Sequence, residues 1–78
     1  MSQRERRIAR IRARPPEADF NDVKALLEDF GWTLRSGKGS HVVFVKAGQH
    51  PITVPTVGGR KVKRVYLTLI CDCLGLED

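Results

Sequence analysis

Apolar positions along the chain form two stretches of helical spacing with an alternating region between them. Val23, Leu26, Leu27 and Phe30 recur at three- and four-residue intervals, the stripe that lets one side of an α-helix pack on a core. Asn21 is a good N-cap ahead of that stripe, Asp22 puts a negative charge where the helix dipole favours one, and Phe20 before the cap supplies a hydrophobic staple. Gly31 provides the left-handed residue of a C-cap, with Trp32 folding back onto the last turn. Further on, Val62, Val65, Tyr66, Leu69, Ile70 and Cys73 fall at i, i+3, i+4, i+7, i+8 and i+11. This spacing predicts a last helix, ended by Gly75.

The region between them changes period. Residues 32–36, 40–46 and 52–54 read as three strands, joined by the loop Gly37-Lys38-Gly39 and by a turn containing Gly48. Pro51 and Pro55 bracket the third strand, which suits a short element whose missing N–H groups lie at its ends or on a free edge. Residues 56–61, with Gly58-Gly59, read as a loop. Ahead of everything, residues 2–13 predict a short helix with Ile8 and Ile11 on one side and arginines around the rest, stopped by Pro15-Pro16. The expected fold class is α+β: a three-stranded antiparallel sheet with helices packed on one face, preceded by a short basic N-terminal helix. The domain division expected is 1–14, a basic helix or arm, and 15–78, the folded domain. Alternation in the second strand puts Val42 and Phe44 on the core face and His41, Val43 and Val45 on the open face.

Charge sharpens this outline. The 78 residues carry a formal net charge of +5, unevenly placed. Residues 1–14 hold six Arg against Glu5, 15–30 hold five acids against Lys24, 31–66 hold seven Lys or Arg and no acid, and 67–78 add three acids. An acid-free band between acidic segments builds a surface with a positive side, which favours a polyanionic partner. The N-terminal arginines fit either an RNA contact or docking on the acidic segment that follows. Cys71 and Cys73 stand two apart on a helix, so they point to different sides and form no disulfide with each other. They read as reduced packing residues, and no second ligand pair completes a metal half-site; no metal and no cofactor is expected. Nothing approaches the ~18 consecutive apolar residues of a membrane span, so a cytoplasmic protein is expected.

Chemistry concentrates at Ser40-His41, where the second strand opens behind Gly37-Lys38-Gly39. Cleaving RNA requires deprotonation of a 2′-hydroxyl, stabilisation of charge on phosphorus and protonation of the leaving oxygen. Histidine, which ordinarily titrates near pH ~6.5, is the natural base for the first step. Arg35, Lys38 and Lys46 are the candidate phosphate contacts, joined by Gly39 and Ser40 of the loop and by Arg60, Lys61, Lys63 and Arg64 of the later basic run. Two bland readings stand beside these. A lone histidine at a strand start serves equally as a surface residue, and Gly-Lys-Gly makes a strand turn as readily as an anion nest. No carboxylate lies between Asp29 and Asp72, so the proton donor is a Lys, Tyr66, His50 or water; His50, in a turn before Pro51, reads as a solvated loop residue.

Residues 20–31 followed by Trp32, then Gly39-Ser40-His41 with Phe44 three on, Ile52-Thr53-Val54-Pro55, and Lys61 running into a final apolar helix together resemble the HicA (YcfA-like) family of toxin ribonucleases, over roughly residues 20–74. The family is similar in fold to the double-stranded-RNA-binding domain. The resemblance implies a type II toxin that cleaves mRNA and is held inactive by a HicB-type antitoxin, with the family's single histidine carried over onto His41. Trp32 stands where an aromatic such as Phe is usual, and Thr56 follows Pro55 where the family often has a basic residue or His. Three functions therefore compete: a metal-independent endoribonuclease with His41 as general base, a non-catalytic RNA-binding module of the same fold, and a protein-interaction module using the open face. On the first reading His41, Val43 and Val45 also form the antitoxin-binding surface.

Overall fold

A computed structural model describes residues 3–38 and 41–76. The element order is α1 (Gln3–Arg12), β1 (Glu17–Asp19), α2 (Phe20–Asp29), β2 (Thr33–Lys38), β3 (His41–Val45), β4 (Ile52–Pro55), β5 (Lys61–Lys63) and α3 (Arg64–Leu74). Strands β2, β3 and β4 form an antiparallel meander, and α2 and α3 send Val23, Leu26, Leu27, Leu67 and Ile70 into one core with Phe44 and Val54 of the sheet. This is the α+β layer expected, and with the three-residue β5 set aside, α2-β2-β3-β4-α3 is the element order of a double-stranded-RNA-binding domain. Strands β3 and β4 alternate as their sequence requires: Phe44, Ile52 and Val54 are buried, while His41 and Thr53 are exposed.

The end of α2 is built by its own sequence. Gly31, at φ +90°, lets the Gly31 amide reach the Glu28 carbonyl at 3.1 Å and the Trp32 amide reach the Leu27 carbonyl at 2.9 Å. These are the paired bonds of a Schellman motif, and they turn Trp32 into the core. The helix start differs from expectation. The helix begins at Phe20, the cap position is Asp19 and no side chain caps it. Asn21 therefore lies inside the first turn, and Phe20 is a helical residue with its ring 6.2 Å from that of Phe44. The reason is a second sheet that sequence periodicity missed. β1 pairs antiparallel with β5, and the Phe20 amide donates to the Arg60 carbonyl at 2.7 Å, so strand bonding runs into the helix without an intervening cap residue.

The same ribbon re-phases α3. Val62 is fully buried as expected, but from β5, and the helix starts only at Arg64. The face turned inward carries Leu67, Ile70 and Cys71, whereas Val65, at 66% exposure, Leu69, at 46%, and Cys73 lie outside. The segment from Val65 to Leu74 is apolar nearly all round, so periodicity alone admits two phases and the strand before it selects one. Gly75, left-handed at φ +72°, ends the helix as expected. The N-terminal arginines dock on the acidic helix: Arg7 pairs with Asp29 at 2.8 Å and Arg10 with Asp22 at 3.3 Å. Arg4 lies over the Phe30 ring at 5.4 Å, and Ile11 of α1, 1% exposed, joins the core.

Candidate functional site

His41 opens β3 and is exposed, on the side of the sheet away from the helices. Its place follows from Phe44. Burying that ring fixes the alternation of β3, and with it the outward direction of His41, Val43 and Val45. The two valines are half-buried, so the open face is less apolar than its sequence suggests. The row is completed across the strands by Thr53, opposite Val43, and Pro55, opposite His41.

A bulge sets what stands on the other side of His41. Leu34 pairs with Phe44, but Ser36 pairs with Val43, so Arg35 is an extra residue in β2. Strict alternation from Leu34 would assign Lys38 to the core row. The extra residue shifts the pairing and brings Lys38 into register opposite His41. Arg35 itself is exposed. Gly39 and Ser40, both expected at this site, lie outside the described residues, as do the side chains of Lys38 and its two predecessors.

The remaining sequence candidates divide. The chain leaves β4 at Pro55, beside His41, passes buried Thr56 and turns at Gly58-Gly59, both left-handed, before Arg60. Arg60 and Lys63 are exposed, and they follow the exit of the chain from the His41 end of the sheet. Lys46 belongs to the other end: five residues along β3 from His41, it is about 17 Å away. There its Nζ donates to the Phe30 carbonyl at 2.9 Å, capping α2. His50 lies in the same β3–β4 connection, exposed and remote from His41. Arg64 Nε donates to the Arg14 carbonyl at 2.8 Å, and Lys61 Nζ donates to Asp19 Oδ1 at 2.6 Å. The hydrogen bond and charge of Lys61 hold Asp19 below its ordinary 3.8, and Asp19 in turn raises Lys61 above 10.5. Among the cations of 31–66 with described side chains, Lys46, Lys61 and Arg64 are thus engaged within the fold. Sequence reasoning missed that Asp19 and Glu17 face this basic strand; the signal was the pair of tripeptides Glu17-Ala18-Asp19 and Lys61-Val62-Lys63, which match in pattern and oppose in charge.

Among the described residues no group of three or more His, Cys, Asp or Glu is arranged to hold a metal ion, and no helix is long and apolar enough to cross a membrane. A cleft of about 380 Å³ lies between α1, β1 and α2, lined by Arg10, Ile11, Glu17, Asp19, Asp22 and Lys61 among others. It is formed by elements other than those that carry His41.

A family profile described as the HicA toxin of bacterial toxin–antitoxin systems matches residues 20–76, from the first residue of α2 to just beyond α3. The chain belongs to the HicA toxin family. No curated protein and no solved structure matches it. As a toxin of such a system it has a cognate antitoxin for partner. The matched segment contains the whole three-stranded sheet and His41, while α1 and β1 stand outside it.

Proposed function

We propose that this toxin is a metal-independent endoribonuclease acting on mRNA in the cytoplasm, with His41 as general base. The observation that carries the reading is the exposure of His41 on the open face at the sheet end where Lys38 stands opposite it, within a sequence band free of carboxylates. His41 takes the proton of a 2′-hydroxyl; the 2′-oxygen attacks the adjacent phosphorus; the bond to the 5′-oxygen breaks, and that oxygen takes a proton from water or a neighbouring ammonium. A 2′,3′-cyclic phosphate and a free 5′-hydroxyl result. Cations at this end of the sheet offset the charge that develops on the phosphoryl oxygens. The antitoxin inhibits by covering His41, Val43 and Val45, and burying a face of the folded toxin also stabilises it by mass action.

One observation favours a non-catalytic RNA-binding module instead: residues 31–66 hold no carboxylate to pair with His41 as acid and base. The experiment that separates the two incubates a fluorescent single-stranded RNA with wild type and His41→Ala, with and without EDTA. Cleavage lost by about 10²- to 10⁴-fold in the variant, with RNA binding retained and EDTA without effect, supports the enzyme. Equal product from wild type and variant removes His41 from the chemistry, and EDTA inhibition reversed by magnesium overturns the mechanism.

A further inference from the structure

The strand that precedes the family-matched segment lies on cations that the sequence offers to RNA. β1 and β5 pair with Glu17 opposite Lys63 and Asp19 opposite Lys61, while between these two charged rungs Ala18 faces the fully buried Val62. Additional backbone bonds extend the ladder at both ends, from the Arg64 amide to the Pro16 carbonyl at 3.1 Å and from Phe20 to Arg60 at 2.7 Å. The ribbon is therefore held by its backbone and by Val62, and its polar side is left to carry two acids against two bases. The Asp19–Lys61 pair is solvent-accessible, its side chains 60% and 47% exposed, and exposed pairs contribute little to stability. Their effect on a charged ligand is larger. A phosphate that recruits Lys61 must displace a carboxylate already bonded at 2.6 Å, and Glu17 and Asp22 also act on the same ammonium.

Position makes this relevant to the site. Pro55 is the register partner of His41, and Val57, two residues on, bridges to Lys61. The Cα path from His41 to Lys61 is at most about 18 Å. A single strand with a phosphate at His41 comes to β5 when it follows the chain out of this end of the sheet, whereas Lys46, at a similar distance, lies the opposite way along the sheet.

We propose that β1 is a built-in competitor for RNA: Asp19, assisted by Glu17, holds Lys61 and Lys63 out of the phosphate-binding surface and so sets how tightly the toxin grips its substrate. The proposal rests on the reading of RNA as ligand. It assigns to residues 17–19 a role in substrate affinity and to Asp19 the largest share, since its carboxylate makes the direct bond.

The test measures binding of a fluorescent single-stranded RNA by anisotropy over a range of salt, with every protein carrying His41→Ala so that the probe survives. Asp19→Asn is expected to tighten binding about three- to tenfold at low salt and to steepen the dependence of log K on log salt by about 0.7, the contribution of one further neutralised phosphate. Lys61→Ala alone is expected to change little, and added to Asp19→Asn to abolish the gain. Glu17→Gln, which leaves the helix start at Asp19 untouched, is expected to shift affinity in the same direction by less, and keeps the proposal testable if Asp19→Asn fails to fold. Binding that is salt-dependent but indifferent to both acid substitutions, or weakened by Lys61→Ala as much in wild type as in Asp19→Asn, overturns the competitor. Binding absent or independent of salt in all variants overturns the RNA reading itself.

Discussion

In the three-stranded sheet, Arg35 and Lys38 come from a stretch without a carboxylate, and the bulge at Arg35 brings Lys38 into register with His41. In the two-stranded ribbon, Lys61 and Lys63 come from the same acid-free band, yet the fold lays Glu17 and Asp19 against them. Net charge in sequence treats the four as equals. Pairing separates them, because a strand from an acidic segment 42 residues away in the chain supplies the counter-charge. The sheet sets no acid opposite its cations, whereas the ribbon sets one opposite each of its own.

The largest effect expected tests whether the basic helix is part of the same body as the sheet. Ile11 is 1% exposed and shares the core with Phe44, Leu27 and Ile70, so Ile11→Ala is expected to cost about 2–5 kcal/mol of unfolding free energy. Val65→Ala, at an exposed position, is expected to stay within about 0.5 kcal/mol. Urea titration of both variants checks this. Equal midpoints would show that α1 rests on the domain without supporting it.

The next contrast sets the open face of the sheet against the outer face of α3. Val43→Asp is expected to weaken the complex with the antitoxin more than tenfold. Thr68→Asp, beside exposed Val65 and Leu69, is expected to change it less than twofold. Titration calorimetry reads both, with a melting curve on each variant because Val43 is half-buried. The reverse ranking would move the inhibitor to the helical side, where the most exposed large apolar side chains lie, and steric covering of His41 would be wrong.

Much of this arrangement was readable from the chain, for reasons that differ by element. The α2 stripe, the Gly31 stop and the alternation around Phe44 are local patterns that the core merely accepts, and they place His41 correctly. The bulge was not readable, because Arg35 and Ser36 are both polar and alternation offers no mark of the extra residue. Nor was the ribbon: three residues per strand give one alternation each, and only pairing 42 positions apart reveals their match. Missing it moved the α2 cap and the phase of α3 together. Lys46 was misplaced by adjacency in sequence, since one strand length carries it to the far end of the sheet.

A smaller effect follows for RNA binding. With Lys46 on the Phe30 carbonyl, Lys61 on Asp19, Arg64 on the Arg14 carbonyl and Lys63 opposite Glu17, three cations of the band are expected to meet phosphate: Arg35, Lys38 and Arg60. At about −0.7 each for single-stranded RNA, log K is expected to fall with log salt at a slope near −2. A slope near −5 would mean that RNA strips all seven from their partners, and the ribbon would then present its cations just as the sheet does.

The smallest effect lies in the ribbon's own stability and its sign can be worked out. Asp19 is held below its ordinary 3.8 when folded, so its pairing contributes fully above that value and is lost as pH falls through the lower folded one. Lys61 is raised above 10.5, so its share is complete below that value and is lost as pH rises through the higher folded one. Between these limits the difference in melting temperature between wild type and Asp19→Asn should be small, favour wild type and stay level. It should close at both ends and shrink with salt, because the pair is exposed. A difference that persists at pH 2 would belong to the backbone of β1 or the start of α2, not to charge. In that case the acid over Lys61 would be a by-product of strand pairing, and the sheet and the ribbon would differ only in geometry.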